Sequence, residues 1–148
     1  MPLSQVVSFN SVRYAVHVAL DAAFPDIPIS GEEIPQGLEA PYFYVRLLEP
    51  GHMRELGRRY KRRHPFVIRY FAADRKNDAM YAMAEQLTEA LARIMVGGRS
   101  CAGQDIRFQI ENEVLYFWVT YSLLVWAPRP NDPAMETLEQ QGGIKDEP

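Results

Sequence analysis

Among the side chains of this sequence that can do chemistry, six cations crowd one segment. Arg54, Arg58, Arg59, Lys61, Arg62 and Arg63 fall within ten residues, opposed only by Glu55. The chain of 148 residues carries a formal charge of −3, so this excess of five positive charges leaves −8 on the remainder. Such a run can be a solvated strand edge, where charge blocks aggregation. It can equally meet phosphates or an acidic protein surface. Strand alternation puts Arg58, Tyr60 and Arg62 on one face and Arg59, Lys61 and Arg63 on the other. A two-faced positive ribbon suits insertion between partners, or the lining of a channel, better than a flat groove-reading surface.

The other candidates read as structural. His17, His52 and His64 show no ligand spacing with one another or with Cys101, whereas a zinc site needs about four convergent ligands. Cys101, flanked by Gly97, Gly98 and Gly103, reads as a small loop residue, since a nucleophile needs a paired base. Gly97-Gly98-Arg99-Ser100 lacks the Gly-Lys-Ser/Thr ending of a phosphate loop and follows a predicted helix, so it reads as a helix C-cap. The carboxylate pairs Glu32-Glu33 and Glu111/Glu113 fall in predicted turns, where solvation is the default. No acid, base and nucleophile converge, so neither an enzyme, a metal nor a cofactor is expected.

The elements that position the basic run follow from periodicity. Ser8 or Asn10 can cap a first helix with Val12, Val16, Ala19, Leu20 and Ala23 on one face, ended by Pro25. Ile27 and Ile29 are expected to form a short edge strand. Tyr42 to Leu48 alternates as a strand, Pro50-Gly51 turns the chain, and a second strand runs from about Arg54 to Phe71. The first strand is the shorter of the two, so part of the basic half is expected to project beyond the sheet as a ribbon or loop. Asp74 or Asn77 caps a second helix, with Met80, Met83, Ala84, Leu87, Leu91, Ile94 and Met95 as its stripe and Gly97-Gly98 as its stop. Two strands then alternate at Ile106, Phe108 and Ile110 and from Leu115 to Val125, joined by a turn at Asn112-Glu113.

This order predicts an α+β domain over 1–127. It has an antiparallel sheet of about four to five strands, two helices on one face and a long projecting β-hairpin. Residues 128–148, with Pro128, Pro130 and Pro133 at their start, read as an extended C-terminal tail. The helix-free face carries Tyr42, Tyr44, Tyr116, Trp118 and Trp126, an aromatic surface that predicts a subunit interface. With 47% hydrophobic and 24% charged residues, the composition excludes both a histone-like basic chain and an acidic disordered one. A single cysteine cannot form an internal disulfide, which points to a reducing compartment. No signal peptide is evident, and Val114 to Ala127 is too short and too rich in β-formers for a membrane helix. A soluble intracellular protein is therefore expected.

Several short patterns in order carry a resemblance. They are Phe24-Pro25-Asp26-Ile27-Pro28-Ile29-x-Gly31-Glu32-Glu33-Ile34, then Pro41-x-Phe43-x-Val45, then Arg54-Glu55-Leu56-Gly57-Arg58-Arg59-Tyr60-Lys61-Arg62. The chain closes with Met135-Glu136-x-Leu138-Glu139-x-x-Gly142-Gly143-Ile144-Lys145. Together they resemble the small tail terminator family of phages and prophages of Gram-positive bacteria. The resemblance implies a hexameric ring of subunits that caps the tail tube and stops its polymerisation. It also implies contact with the sheath in contractile tails, a docking surface for the head or neck connector, and DNA passing through the lumen. The expected place is a virion or phage-like tail particle assembled in the host cytoplasm. In that ring Arg54, Arg58, Arg59, Lys61, Arg62 and Arg63 would meet DNA or a protein partner. Two alternatives stay open: a head-side neck or tail-completion protein, and a nucleic-acid-binding protein with a steep salt dependence.

Overall fold

The computed structural model describes residues 7–31 and 38–127. The tail at 128–148 and the pair Glu32-Glu33 lie outside them. The elements in chain order are α1 (Phe9–Ala23), β1 (Ile29–Ser30), β2 (Tyr42–Leu47), β3 (Gly51–Leu56), β4 (Arg59–Phe71), α2 (Asn77–Ala90), β5 (Arg93–Val96), β6 (Arg99–Glu111) and β7 (Val114–Trp126). The strands form one seven-stranded sheet in the order β1-β2-β4-β7-β6-β5, and β3 also pairs with β4. The class is α+β, as the sequence predicts, but with more than four to five strands, and the sheet is mixed because β1 runs parallel to β2.

Both helices bury their stripes on one face of the sheet. Val12, Ala15, Val16 and Leu20 of α1 and Met80, Met83, Ala84 and Leu87 of α2 are buried. They share a core with Phe43 and Val45 of β2, Phe66 and Ile68 of β4, and Leu115, Phe117, Val119 and Tyr121 of β7. Each large apolar side chain fully buried here contributes about 1.5–3 kcal/mol. Ser8 is the N-cap of α1 and accepts a hydrogen bond from the Ser11 amide at 3.0 Å, which satisfies one orphan donor of the first turn. Before α2 the Asp74 carboxylate instead accepts from the Lys76 amide at 3.1 Å.

Three local readings are corrected. First, α2 stops at Ala90, and Arg93–Val96 is a strand rather than the last helical turn. Ile94 and Val96 point into the core while Met95 is exposed, which is strand alternation. Leu91, Ile94 and Met95 fit a helical stripe equally well by spacing alone. Gly97 and Gly98, at φ +58° and +81°, make the β5–β6 hairpin turn, a geometry that favours glycine at both positions. Second, the turn into β4 is Gly57-Arg58, not Pro50-Gly51. Gly57 takes φ +59°, and Gly51 already belongs to β3. Third, Cys101 lies within β6 and faces the core, not a loop.

The junction of α2, β5 and β7 is closely fitted. The Tyr121 hydroxyl donates to the Leu91 carbonyl at 2.6 Å within the core. The Gly103 amide donates to the Ala92 carbonyl at 2.8 Å. A Cβ on Gly103 would lie 2.8 Å from the Leu91 carbonyl oxygen and 2.9 Å from a Val119 methyl, so the close approach of chain to strand requires glycine there.

Candidate functional site

The basic segment occupies β3, the Gly57-Arg58 turn and the first half of β4. Residues Arg59–Arg63 pair with β3 on one side and with Trp126–Ser122 of β7 on the other. β2 meets β4 only from Phe66 to Phe71, and β6 meets β7 only from Tyr121 to Val114. The basic half therefore lies at the centre of a three-stranded arm made of β3, β4 and the end of β7. Where the sequence led to a ribbon leaving the sheet, the arm continues the sheet. β7 is long enough to accompany it, and the apolar residues Leu123 to Trp126 do so.

On the helix side the arm's cations are tied inward. Arg62 donates through Nε to Nδ1 of His52 at 3.0 Å and through Nη1 to the Val7 carbonyl at 2.8 Å. Its guanidinium also lies 4.6 Å from the Phe9 ring centroid. His52 stacks on Tyr60 with centroids 4.4 Å apart. Arg58 donates to the Ala127 carbonyl at 3.1 Å and lies 5.9 Å from the Trp126 ring. Arg54 donates to the Gly57 carbonyl at 2.9 Å, closing the hairpin turn. These contacts brace the arm.

On the opposite side the cations look outward. Arg59 pairs with Glu55 at 3.3 Å, and Arg63 pairs with Asp105 at 3.3 Å, both in partly exposed geometry. Lys61 has no ion partner among the described residues. The register puts Lys61 between Met53 and Leu124, and Arg59 between Leu56 and Trp126. All four apolar residues are about half exposed or more, from Leu124 at 48% to Leu56 at 74%.

Away from the arm the same face holds the predicted aromatic residues. Tyr42 stacks on Phe71 at 4.5 Å. Arg69 lies over both Tyr44 and Tyr116, 5.3 Å from each centroid, and Arg107 lies 5.2 Å from Trp118. Tyr116 and Trp118 stack at 6.1 Å. Tyr42 and Tyr44 are thus buried within the subunit itself, Tyr116 and Trp118 are half-buried, and Trp126 is exposed. Arg69 and Arg107 are the residues that reading the basic run alone misses. The available signal is period-two placement, because Arg69 alternates in phase with Val67 and Phe71 on a strand whose other face is core.

The remaining candidates are dispersed. His17 is half-buried on α1, His52 lies on β3, and His64 is fully buried on β4. Burial and Arg13 hold His17 below its usual value. Among the described residues no group of three or more His, Cys, Asp or Glu could hold a metal ion. The Cys101 thiol is pushed up by burial, with Arg93 pulling the other way, which disfavours the thiolate a nucleophile needs. Glu113 pairs with Arg75 at 3.3 Å on the surface, away from Glu111. No helix among the described residues is long and apolar enough to cross a membrane.

These residues share one side of the sheet, studded with arginines over aromatic rings and continued into the basic arm. A family model described as phage tail terminator protein matches residues 11–133, so the chain is a member of the phage tail terminator family. Its place is accordingly a virion or phage tail particle. The fold is similar to that of a chain in a solved structure titled as the virion of a native gene transfer agent particle. That chain is 16% identical, with a TM-score of 0.52 over 80% of this chain and 96% of the other. A second solved chain, whose title gives no function, is 15% identical with a TM-score of 0.48, covering 84% of this chain and 99% of its own. No curated protein sequence gives a significant match.

Proposed function

We propose that this chain closes into a ring, hexameric by analogy with its family's fold, that caps the tail tube. The ring ends tube growth, meets the sheath where the tail is contractile, and offers the head or neck its docking surface. Family membership supports the general role. The observation that carries the finer reading is the unequal covering of the sheet. The helices pack on one face, and the other face runs as an arginine–aromatic lattice into the basic arm. Ring closure is a head-to-tail contact, which needs two different surfaces on each subunit. A sheet face and a helical layer supply two such surfaces. In this reading the sheets form the inner wall, and Arg59, Lys61 and Arg63 face the DNA lumen or the tube below.

Imaging of the purified full chain tests this. Rings with a central hole are expected at assembly concentrations. A monomer that stays monomeric there, and leaves tails of normal length when its gene is deleted, overturns the proposal. Pull-down separates the partners: tube and sheath proteins are expected, and capture of the portal–adaptor complex alone would move the chain to the head side of the neck.

A further inference from the structure

The outward side of the arm combines two features that seldom stay uncovered. It carries Arg59, Lys61 and Arg63, and beside them the exposed side chains of Met53, Leu124 and Trp126. A shallow groove of about 330 Å³ runs between the strands, lined by Glu55, Arg59, Lys61, Ser122, Leu123 and Leu124. A cover for such a surface must bring carboxylates and apolar side chains in alternation.

The stretch that follows β7 is such a sequence. Residues 132–148 hold Asp132, Glu136, Glu139, Asp146 and Glu147 against Lys145 alone, with Met135, Leu138 and Ile144 interspersed. This stretch also begins in the right place. Ala127 is fixed at the tip of the arm, beside the Gly57-Arg58 turn, its amide donating to the Arg58 carbonyl at 2.8 Å and its carbonyl accepting from Arg58 Nη1 at 3.1 Å. The four residues 128–131 can span about 13 Å when extended. The step back from Trp126 to Leu124 along a strand is about 7 Å, so the acidic stretch has the reach to lie on the arm.

We infer that residues 132–148 of this chain dock on the outward face of the β3–β4–β7 arm. Glu136 and Glu139 meet Arg59 and Lys61, and Met135 and Leu138 cover Met53 and Leu124. The opposite charges that nearly cancel in the whole sequence then cancel at one surface. This inference concerns the isolated protein and stands whether or not a ring forms on a tail tube.

The test uses the full chain with a photo-crosslinking amino acid at position 53 or 124. Irradiation is expected to give adducts whose second peptide lies within 132–148. In the double variant Glu136→Lys/Glu139→Lys the adduct yield is expected to fall about fivefold, with an unchanged far-UV spectrum. Adding Arg59→Glu and Lys61→Glu is expected to restore it. The gel mobility of the adduct tells whether the segment comes from the same copy or a second one, and either supports docking. Absence of adducts, adducts only with other parts of the chain, or a yield indifferent to the charge reversal overturns the inference.

Discussion

His64 is fully buried on a strand whose neighbouring residues carry positive charge. Its Nδ1 lies 3.1 Å from the Tyr121 carbonyl, so Nδ1 is the protonated nitrogen. Its ring packs against Phe9 at 5.4 Å. Burial lowers its pKa from the ordinary 6.5, the bond to Tyr121 opposes this in part, and Arg62 lowers it further. The native chain therefore keeps His64 neutral at a pH where the unfolded chain binds a proton. Stability is complete above pH 6.5 and is lost as the pH falls from 6.5 toward the lowered native value. His17 acts in the same direction. Urea midpoints are expected to decline as the pH falls from about 6.5 to 5.5. They should decline less in the double variant His64→Asn/His17→Gln, because a side-chain amide keeps a hydrogen-bond donor without titrating. A double variant with the full wild-type slope would show that other groups are responsible.

At the scale of elements, the β6–β7 hairpin departs from its best turn. Asn112 and Glu113 both take positive φ, 53° and 63°. Glycine suits the second position of such a turn, while an ordinary L-residue there costs about 1–2 kcal/mol. The ion pair between Glu113 and Arg75 is exposed on both sides, at 62% and 67%, and pairs of that kind contribute little. Glu113→Gly is therefore expected to stabilise the domain by about 1 kcal/mol, read as a higher denaturant midpoint with an unchanged slope. A drop in the midpoint would mean that the ion pair or the unfolded chain dominates. The hairpin was legible in sequence because Asn-Glu separates two alternating runs. The β5–β6 hairpin was not, because Leu91, Ile94 and Met95 satisfy helix and strand spacing together, and only packing on the sheet separates them.

For the whole molecule, the distribution of charge matters more than its sum. Arg59 and Arg63 engage only exposed or half-exposed acids, pairs worth about 0–1 kcal/mol each. Replacing Arg59, Lys61 and Arg63 together by glutamine should leave the subunit folded, with a near-native melting profile. In the proposed ring the same variant should yield tails that fail to join heads or that vary in length. Tails of normal length joined to heads would remove the arm from the docking surface.

The sequence by itself determined the two helices, the apolar half of β4, the long β7 strand, their core faces and the basic run. Each of these depends on local periodicity, which a chain displays whatever its surroundings. Tertiary structure decided what the basic run is for within the subunit. Arg54, Arg58 and Arg62 turned out to brace the arm: Arg54 closes its own turn on Gly57, while His52, Val7 and Ala127 come to meet the other two across strands and from distant parts of the chain. Arg59, Lys61 and Arg63 were left facing outward, because alternation sets them on the side that the helices do not cover. The aromatic residues were placed on the correct face by parity. Their covering by Arg69 and Arg107 was set by strand register: parity gives the face of Arg69, but its meeting with Tyr44 and Tyr116 brings together residues dozens of positions apart, which periodicity does not show.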